Sequence, residues 1–280
     1  MNSENGTKIK TENQPGKRAK ELYLELGQFF RPELYKDMAA NGLLADHADV
    51  IRRVYTATFS SSEVIRQLQE RAATDCLLFT HHPGAQHPEN TPPIYFNETE
   101  LQYMREHRIS HYNLHLPLDQ VNPYSPGVSL AKVMGLTPYE SFFEEGGSVM
   151  GLICTGSFQT CGQVLRKTEA LVGHSCRLYS YGEETLSDGR IALIAGGAEG
   201  TEIYETLRRA GVRLLLTGVG SKAADWFAPS HRAAEAAGVS ILAAGHYSTE
   251  SFALMEVCRF FRERGLAAEF LAETPLLLDL

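Results

Sequence analysis

The chain has 280 residues, 43% hydrophobic and 21% charged, with a formal net charge of −8. That length supports one α/β domain or two lobes of roughly 100 to 150 residues, and the negative balance argues against bulk attraction to nucleic acid or an anionic membrane. Five cysteines without CxxC spacing indicate neither a zinc ribbon nor a disulfide framework; no apolar run reaches the roughly 20 residues of a membrane helix, and the polar stretch Met1 to Lys20 lacks the apolar centre of a secretion signal, so a cytoplasmic protein is expected.

Residues 1–18, rich in Asn, Lys, Glu and Gly, read as a disordered tail. A helix is expected over Lys20 to Phe30. Val54 to Thr58 then reads as a strand, Glu63 to Ala73 as a helix and Cys76 to Thr80 as a second strand, followed by His81-His82-Pro83-Gly84. The middle of the chain offers a strand at Val149 to Cys154, a helix at Cys161 to Val172 and a strand at Cys176 to Tyr181, bounded by the turn chemistry of Gly146-Gly147 and Ser187-Asp188-Gly189. A strand at Ile191 to Ala195 leads through a helix at Glu202 to Ala210 into the strand Leu214 to Thr217. Helix Lys222 to Ala237, strand Ser240 to Ala244 and helix Ser251 to Arg264 complete the chain. Strands alternating with helices of this length imply βαβ units and a mainly parallel sheet. The expected division is residues 19–143 and residues 144–280, as two similar α/β lobes.

Two stretches follow one course. Val54 to Thr80 and Ile191 to Thr217 both run strand, helix, strand at matching length, which suggests an internal duplication. The same repetition marks His115-Leu116-Pro117-Leu118-Asp119 and His246-Tyr247-Ser248-Thr249-Glu250, each a histidine followed four residues later by a carboxylate. With His81-His82 they supply four imidazoles and two carboxylates, an inventory that suits a pair of divalent metal ions. In open α/β sheets ligands collect at the carboxyl ends of strands. His81, His82, Asp119 and His246 lie just past such ends, with Glu250 one helical turn from His246. Neighbouring residues of a strand face opposite ways, so His81 and His82 can share a site only where the chain has begun to turn. Five ligands are few for two ions, and a bridging carboxylate with a metal-bound water would complete the coordination.

His81-His82-Pro83, the His115 to Asp119 spacing and Gly245-His246-Tyr247-Ser248-Thr249-Glu250, in this order, resemble the Nif-three-like family of dinuclear metal-centre proteins, some of which are named as GTP cyclohydrolase type homologues. The resemblance runs from about Asn41 onward. It implies two α/β lobes with two metals between them, a toroidal homohexamer, and metal ligands at His81, His82, Asp119, His246 and Glu250. His115 matches a family histidine beside the site, and His231 stands where relatives carry histidines near it; both are expected behind the ligands. The chain departs from the family pattern at Leu116 and Pro117, at Val219, and at Ser125 to Ser129.

Each residue also has a plainer reading. The two adjacent histidines could cap a strand end, and Asp119 and Glu250 could be carboxylates favoured by helix dipoles, worth about 0.3 to 1 kcal/mol. His87, His107, His111 and His174 have no evident partners and read as structural or solvated. Gly196-Gly197-Ala198-Glu199-Gly200 lacks both GxGxxG and a P-loop lysine, so it reads as a tight turn rather than a nucleotide loop. Two function classes follow. One is a metal-dependent hydrolase acting on a nucleotide or other small heterocycle, with Glu250 and the metal-bound water as its catalytic groups and the ions drawn from Zn, Fe, Mn or Ni. The other is a non-catalytic metal-binding regulatory or scaffold protein.

Overall fold

The computed structural model describes residues 16–88 and 90–280. In chain order the elements are β1 (Lys17–Arg18), α1 (Ala19–Phe30), β2 (Gly42–Ala45), β3 (Val50–Ile51), β4 (Arg53–Phe59), α2 (Ser62–Glu70), β5 (Cys76–His82), α3 (Glu98–Glu106), β6 (Ile109–Asn113), α4 (Leu116–Asp119) and α5 (Pro126–Met134). They continue with β7 (Thr137–Glu145), β8 (Ser148–Thr155), α6 (Cys161–Val172), β9 (Arg177–Tyr179), β10 (Arg190–Ile194), α7 (Glu202–Arg209), β11 (Leu214–Thr217), α8 (Ala228–Ala237), β12 (Ser240–Ala243), α9 (His246–Arg262) and β13 (Ala267–Phe270).

Local chemistry accounts for the boundaries. The Ser61 hydroxyl accepts the Val64 N–H and starts α2, which buries Val64, Ile65 and Leu68 along one stripe. Along β5 the side chains alternate, Leu77 and Phe79 packing on one face and Cys76 and Leu78 on the other. The helix expected from Lys222 begins only at Ala228, with Pro229 in its first turn, where a missing N–H costs nothing. The helix expected from Ser251 begins five residues earlier, at His246, behind a Gly245 whose φ of 86° lies in the region open to glycine. Lys17–Arg18, expected within a disordered tail, pair antiparallel with Val50–Ile51, while residues 1–15 lie outside the described residues.

The strands form two large sheets. One has the order β13-β4-β5-β6-β2, parallel from β13 to β6, with β2 antiparallel at the edge. The other has the order β7-β8-β10-β11-β12-β9, with a parallel centre of β10, β11 and β12 and antiparallel margins. Each sheet is covered on both faces, as buried parallel strands require. The first lies between α1 and α9 on one side and α2 and α3 on the other; the second lies between α7 and α8 on one side and α5 and α6 on the other. The chain crosses between them, because α9 follows the last parallel strand of the second sheet yet buries Ala253, Leu254, Val257 and Phe261 in the core of the first. β13 then pairs with β4.

Candidate metal centre

The register of the first sheet brings its ligands to one level. Phe59 pairs with His82 across β4 and β5, and Thr80 pairs with Asn113 across β5 and β6, so the chain leaves β6 into Leu114 and His115 beside the histidine pair. Contrary to expectation, β5 does not end before the histidines but runs through His82. Both rings still serve one place: their centroids are 4.4 Å apart at 65°, and the turn begins only at Pro83. An imidazole is long enough for two neighbours at a strand's end to reach the same carboxylate from opposite faces.

That carboxylate is Glu250, on the second turn of α9. Its Oε1 lies 3.5 Å from His81 Nε2 and 3.2 Å from His246 Nε2, and its Oε2 lies 2.9 Å from His82 Nε2. Asp119 Oδ1 is 3.5 Å from the same His81 nitrogen. The potential donors fall into three groups able to hold a cation: His81, His82 and His115; His82, His246 and Glu250; His81, Asp119 and Glu250. Within each group the ligand atoms lie within 4.8 Å of one another. The structure therefore gathers all five residues expected as ligands, and adds His115.

Hydrogen bonds behind the rings fix where their lone pairs point. His81 Nδ1 is 2.8 Å from the Leu114 carbonyl oxygen, which can only accept, so Nδ1 donates and Nε2 is the ring atom that faces the carboxylates. His115 Nδ1 likewise donates to Asp37 Oδ1 at 2.9 Å. Asp37 in turn accepts from Asn41 Nδ2 and from the N–H groups of Ala39 and Leu116. Burial opposes the charge on Asp37, yet these donors, His115 first, hold its carboxyl well below the usual range. On the other side of the centre, Gly196 adopts φ 70°, and a Cβ there would overlap Glu250 Oε1. The Gly196 N–H donates to Thr249 Oγ1, so the turn read only as a way into the next helix also seats Glu250.

The electrostatics favour positive charge at the centre. Burial disfavours a charged His81, but the carboxylates of Asp119 and Glu250 override it and hold the imidazole well above its ordinary range. Against the same pull of burial, Glu250 raises His246 to about 9. For His82 burial wins and pushes it well below the ordinary range. In Glu250 burial is outweighed by His246, His82 and His81, which hold the carboxyl well below its usual range. Two fully buried anions thus demand compensating cations. Among the described residues His81 Nε2 is also a buried nitrogen with no hydrogen-bond partner, a state costing about 1 to 3 kcal/mol. A divalent ion coordinated there removes both costs, so the residues fit a metal.

Other residues fall elsewhere. His231 is buried on α8 with both ring nitrogens engaged, Nδ1 by the Tyr181 hydroxyl at 2.8 Å and Nε2 by the Gly220 carbonyl at 2.9 Å, and it is in none of the ligand groups. His111 bonds to Thr80 Oγ1 inside the first sheet, where burial lowers it to about 4, and His174 bonds to Ser248 Oγ. Leu116, Pro117 and Val219, the departures from the family pattern, are all buried, Leu116 and Val219 in the second core. Over the centre opens a cleft of about 370 Å³, with His82, His115 and His246 in its floor and Phe59, Tyr95 and Trp226 on its walls.

The Duf34/NIF3 (NGG1p interacting factor 3) family model matches residues 17–274. A protein of Pyrococcus abyssi named GTP cyclohydrolase 1 type 2 homolog is 28% identical over 250 residues, covering 87% of this chain and 93% of its own. One of the same name from Neisseria meningitidis is 26% identical, covering 81% of this chain and 90% of its own. Among solved structures, reduced HcgD from Methanocaldococcus jannaschii superimposes with a TM-score of 0.71 at 22% identity, covering 93% of this chain and 100% of that one. A Bacillus cereus protein related to NIF3 gives a TM-score of 0.68 at 13% identity, covering 94% and 98%. Spanning nearly the whole of the two sheets and every residue of the ligand groups, the match shows that the chain belongs to the Duf34/NIF3 family.

Proposed function

We propose that this protein binds two divalent ions and hydrolyses a small heterocyclic molecule held above them. The observation that carries the reading is Glu250, which belongs to two of the three ligand groups and presents its two oxygens to different histidines. His81 and Asp119 would hold one ion and His82 and His246 the other, with Glu250 between them. When bound, two such ions acidify a shared water from a pKa of 15.7 toward about 7 and polarise the bond to be cleaved. The Leu114 carbonyl keeps the proton of His81 on Nδ1, and Asp37 does the same for His115, so both rings offer Nε2 toward the centre. Phe59, stacked on His82 at 4.4 Å and 12°, shields that ring from water.

The relatives' name, GTP cyclohydrolase 1 type 2 homolog, is consistent with hydrolysis of a heterocycle. A mixed set of imidazoles and carboxylates does not select sharply among Zn, Fe, Mn and Ni, so availability sets the metal. The test is elemental analysis of protein purified without chelator, then a screen of phosphoesters, amides and nucleotides with each metal restored. Close to two ions per chain and metal-dependent turnover are expected. Two ions without turnover of any substrate class would favour a regulatory metal-binding role, and a negligible metal content would sink both. Five free cysteines suit a reducing cytoplasm. Leu277 and Leu278, 42% and 60% exposed, are surfaces that assembly into a homohexamer would cover; light scattering at a monomer's mass would rule that assembly out.

A further inference from the structure

The cleft above the ligand groups is built for one kind of occupant. Its volume of about 370 Å³ suits a small molecule, and its walls carry Phe59, Tyr95 and Trp226. Those walls are pinned in advance. The Gln86 side chain donates to the Thr274 carbonyl and accepts the Leu276 N–H, and the Asn90 side chain donates to the Ala223 carbonyl and accepts the Asp225 N–H. The loop bearing Tyr95 is thereby tied to the C-terminal segment and to the turn bearing Trp226. Tyr95 remains 60% exposed, apolar surface that a bound ring would cover.

What the walls lack is equally informative. No Lys or Arg occurs among the described residues that line the cleft. The nearby glycine-rich turn leads into α7, whose first turn holds Glu202 and Glu205, a poor place for an anion. Polyphosphates are bound through Arg, Lys or a free helix N-terminus; the described lining holds no Arg or Lys, and at the N-terminus of α9 the His246 N–H already donates to the Asp279 carboxylate while its ring is paired with Glu250.

We infer that the cleft binds a flat, uncharged heteroaromatic ring against Tyr95 and Trp226, and that the chain itself gives no hold on a polyphosphate. This rests on the cleft being the substrate site of the proposed hydrolase. Any affinity gained from phosphates comes from the bound ions and disappears with them. A nucleoside, a free base or a related bicyclic ring is the expected substrate class, rather than the triphosphate named in its relatives.

Trp226 is the single tryptophan of the sequence, so its fluorescence reports on this cleft alone. Metal-loaded and chelated protein would be titrated with guanosine, adenosine, GTP and inorganic triphosphate, by fluorescence and by equilibrium dialysis. At least one nucleoside should bind and quench in both forms, inorganic triphosphate should not bind the chelated form, and GTP should bind that form no more tightly than guanosine. Tyr95→Ala should weaken nucleoside binding about tenfold, the loss of one base-stacking contact. Tenfold tighter binding of GTP than guanosine by chelated protein, unchanged nucleoside binding in Tyr95→Ala, or no nucleoside binding at all would each overturn the inference. Binding needs no turnover and metal content is measured on the same samples, so a failed hydrolase reading registers separately.

Discussion

The two halves of the centre reach the same point by opposite means. In the first sheet, β4 and β5 end in large rings, Phe59, His81 and His82, each oriented by packing or hydrogen bonds. In the second, the corresponding β10 and β11 are followed by Gly196 and Gly218, and a Cβ on either would collide with α9, at Glu250 in one case and at Thr249 and His246 in the other. At these strand ends one half supplies donors and the other supplies room for the His246 and Glu250 side chains of α9. If a duplication produced the two strand-helix-strand courses, their ends have since taken complementary tasks, and the helix that carries the shared carboxylate fits because one copy gave up its side chains.

The sharpest way to break this contrast is Glu250→Gln. If Glu250 is the element common to both halves, the substitution should lower metal affinity at both positions by at least about 100-fold; unchanged metal content by elemental analysis would end the bridging role. Gly196→Ala tests the half that provides space. It forces a side chain into a positive-φ position and against Glu250, and should lower stability by about 2 kcal/mol or more in thermal unfolding, with a loss of metal. Full retention of both would mean that α9 can shift to make room.

Asp37→Asn tests the half that orients rings. Asn cannot hold the His115 proton as a carboxylate does, so metal affinity should fall by about 10- to 100-fold with the fold intact. His115→Ala should cost a similar factor if His115 only supports its neighbours, whereas complete loss of one ion would make it a ligand.

The smallest effect concerns Glu273, whose carboxylate accepts from the Phe59 N–H and the Ser61 hydroxyl at the end of β4. Burial raises it to about 7. Its folded pKa exceeds its unfolded value, so the folded state binds more protons and stability falls as the pH rises from about 4 through about 7, by about 3 to 4 kcal/mol at most. Glu273→Gln keeps an acceptor and should flatten this slope in melting temperatures taken from pH 5 to 8; an unchanged slope would assign it to other groups.

Much of this was legible because it is local. The strands β4, β5, β10, β11 and β12 are short apolar runs, α2 and α6 carry a side-chain cap and an apolar stripe, and α7 carries a stripe. The five candidate ligands also stood out, since His81 and His82 adjoin a strand end and Asp119, His246 and Glu250 fall in His-to-carboxylate pairs that repeat a spacing after a strand. Asp37 did not, because its partner His115 is 78 residues away and no pattern links them. Gly196 read as turn chemistry because a glycine's role in leaving space depends on what approaches it. The start of α9 was set too late, at Ser251, although Glu250 one helical turn from His246 already belonged to it. The return of β13 to β4 is a choice of partner between strands that the apolar pattern leaves open.

That return orders events during synthesis. A ribosome makes His81, His82, His115 and Asp119 early, but the first sheet keeps the side of β4 bare until Ala267–Phe270 has emerged, and Glu250 comes only shortly before. A nascent chain therefore carries an open parallel edge and only part of the candidate ligand set at the same time, exposed to edge pairing with other chains. Completion of the candidate metal centre and closure of the sheet therefore fall within the same short interval of translation.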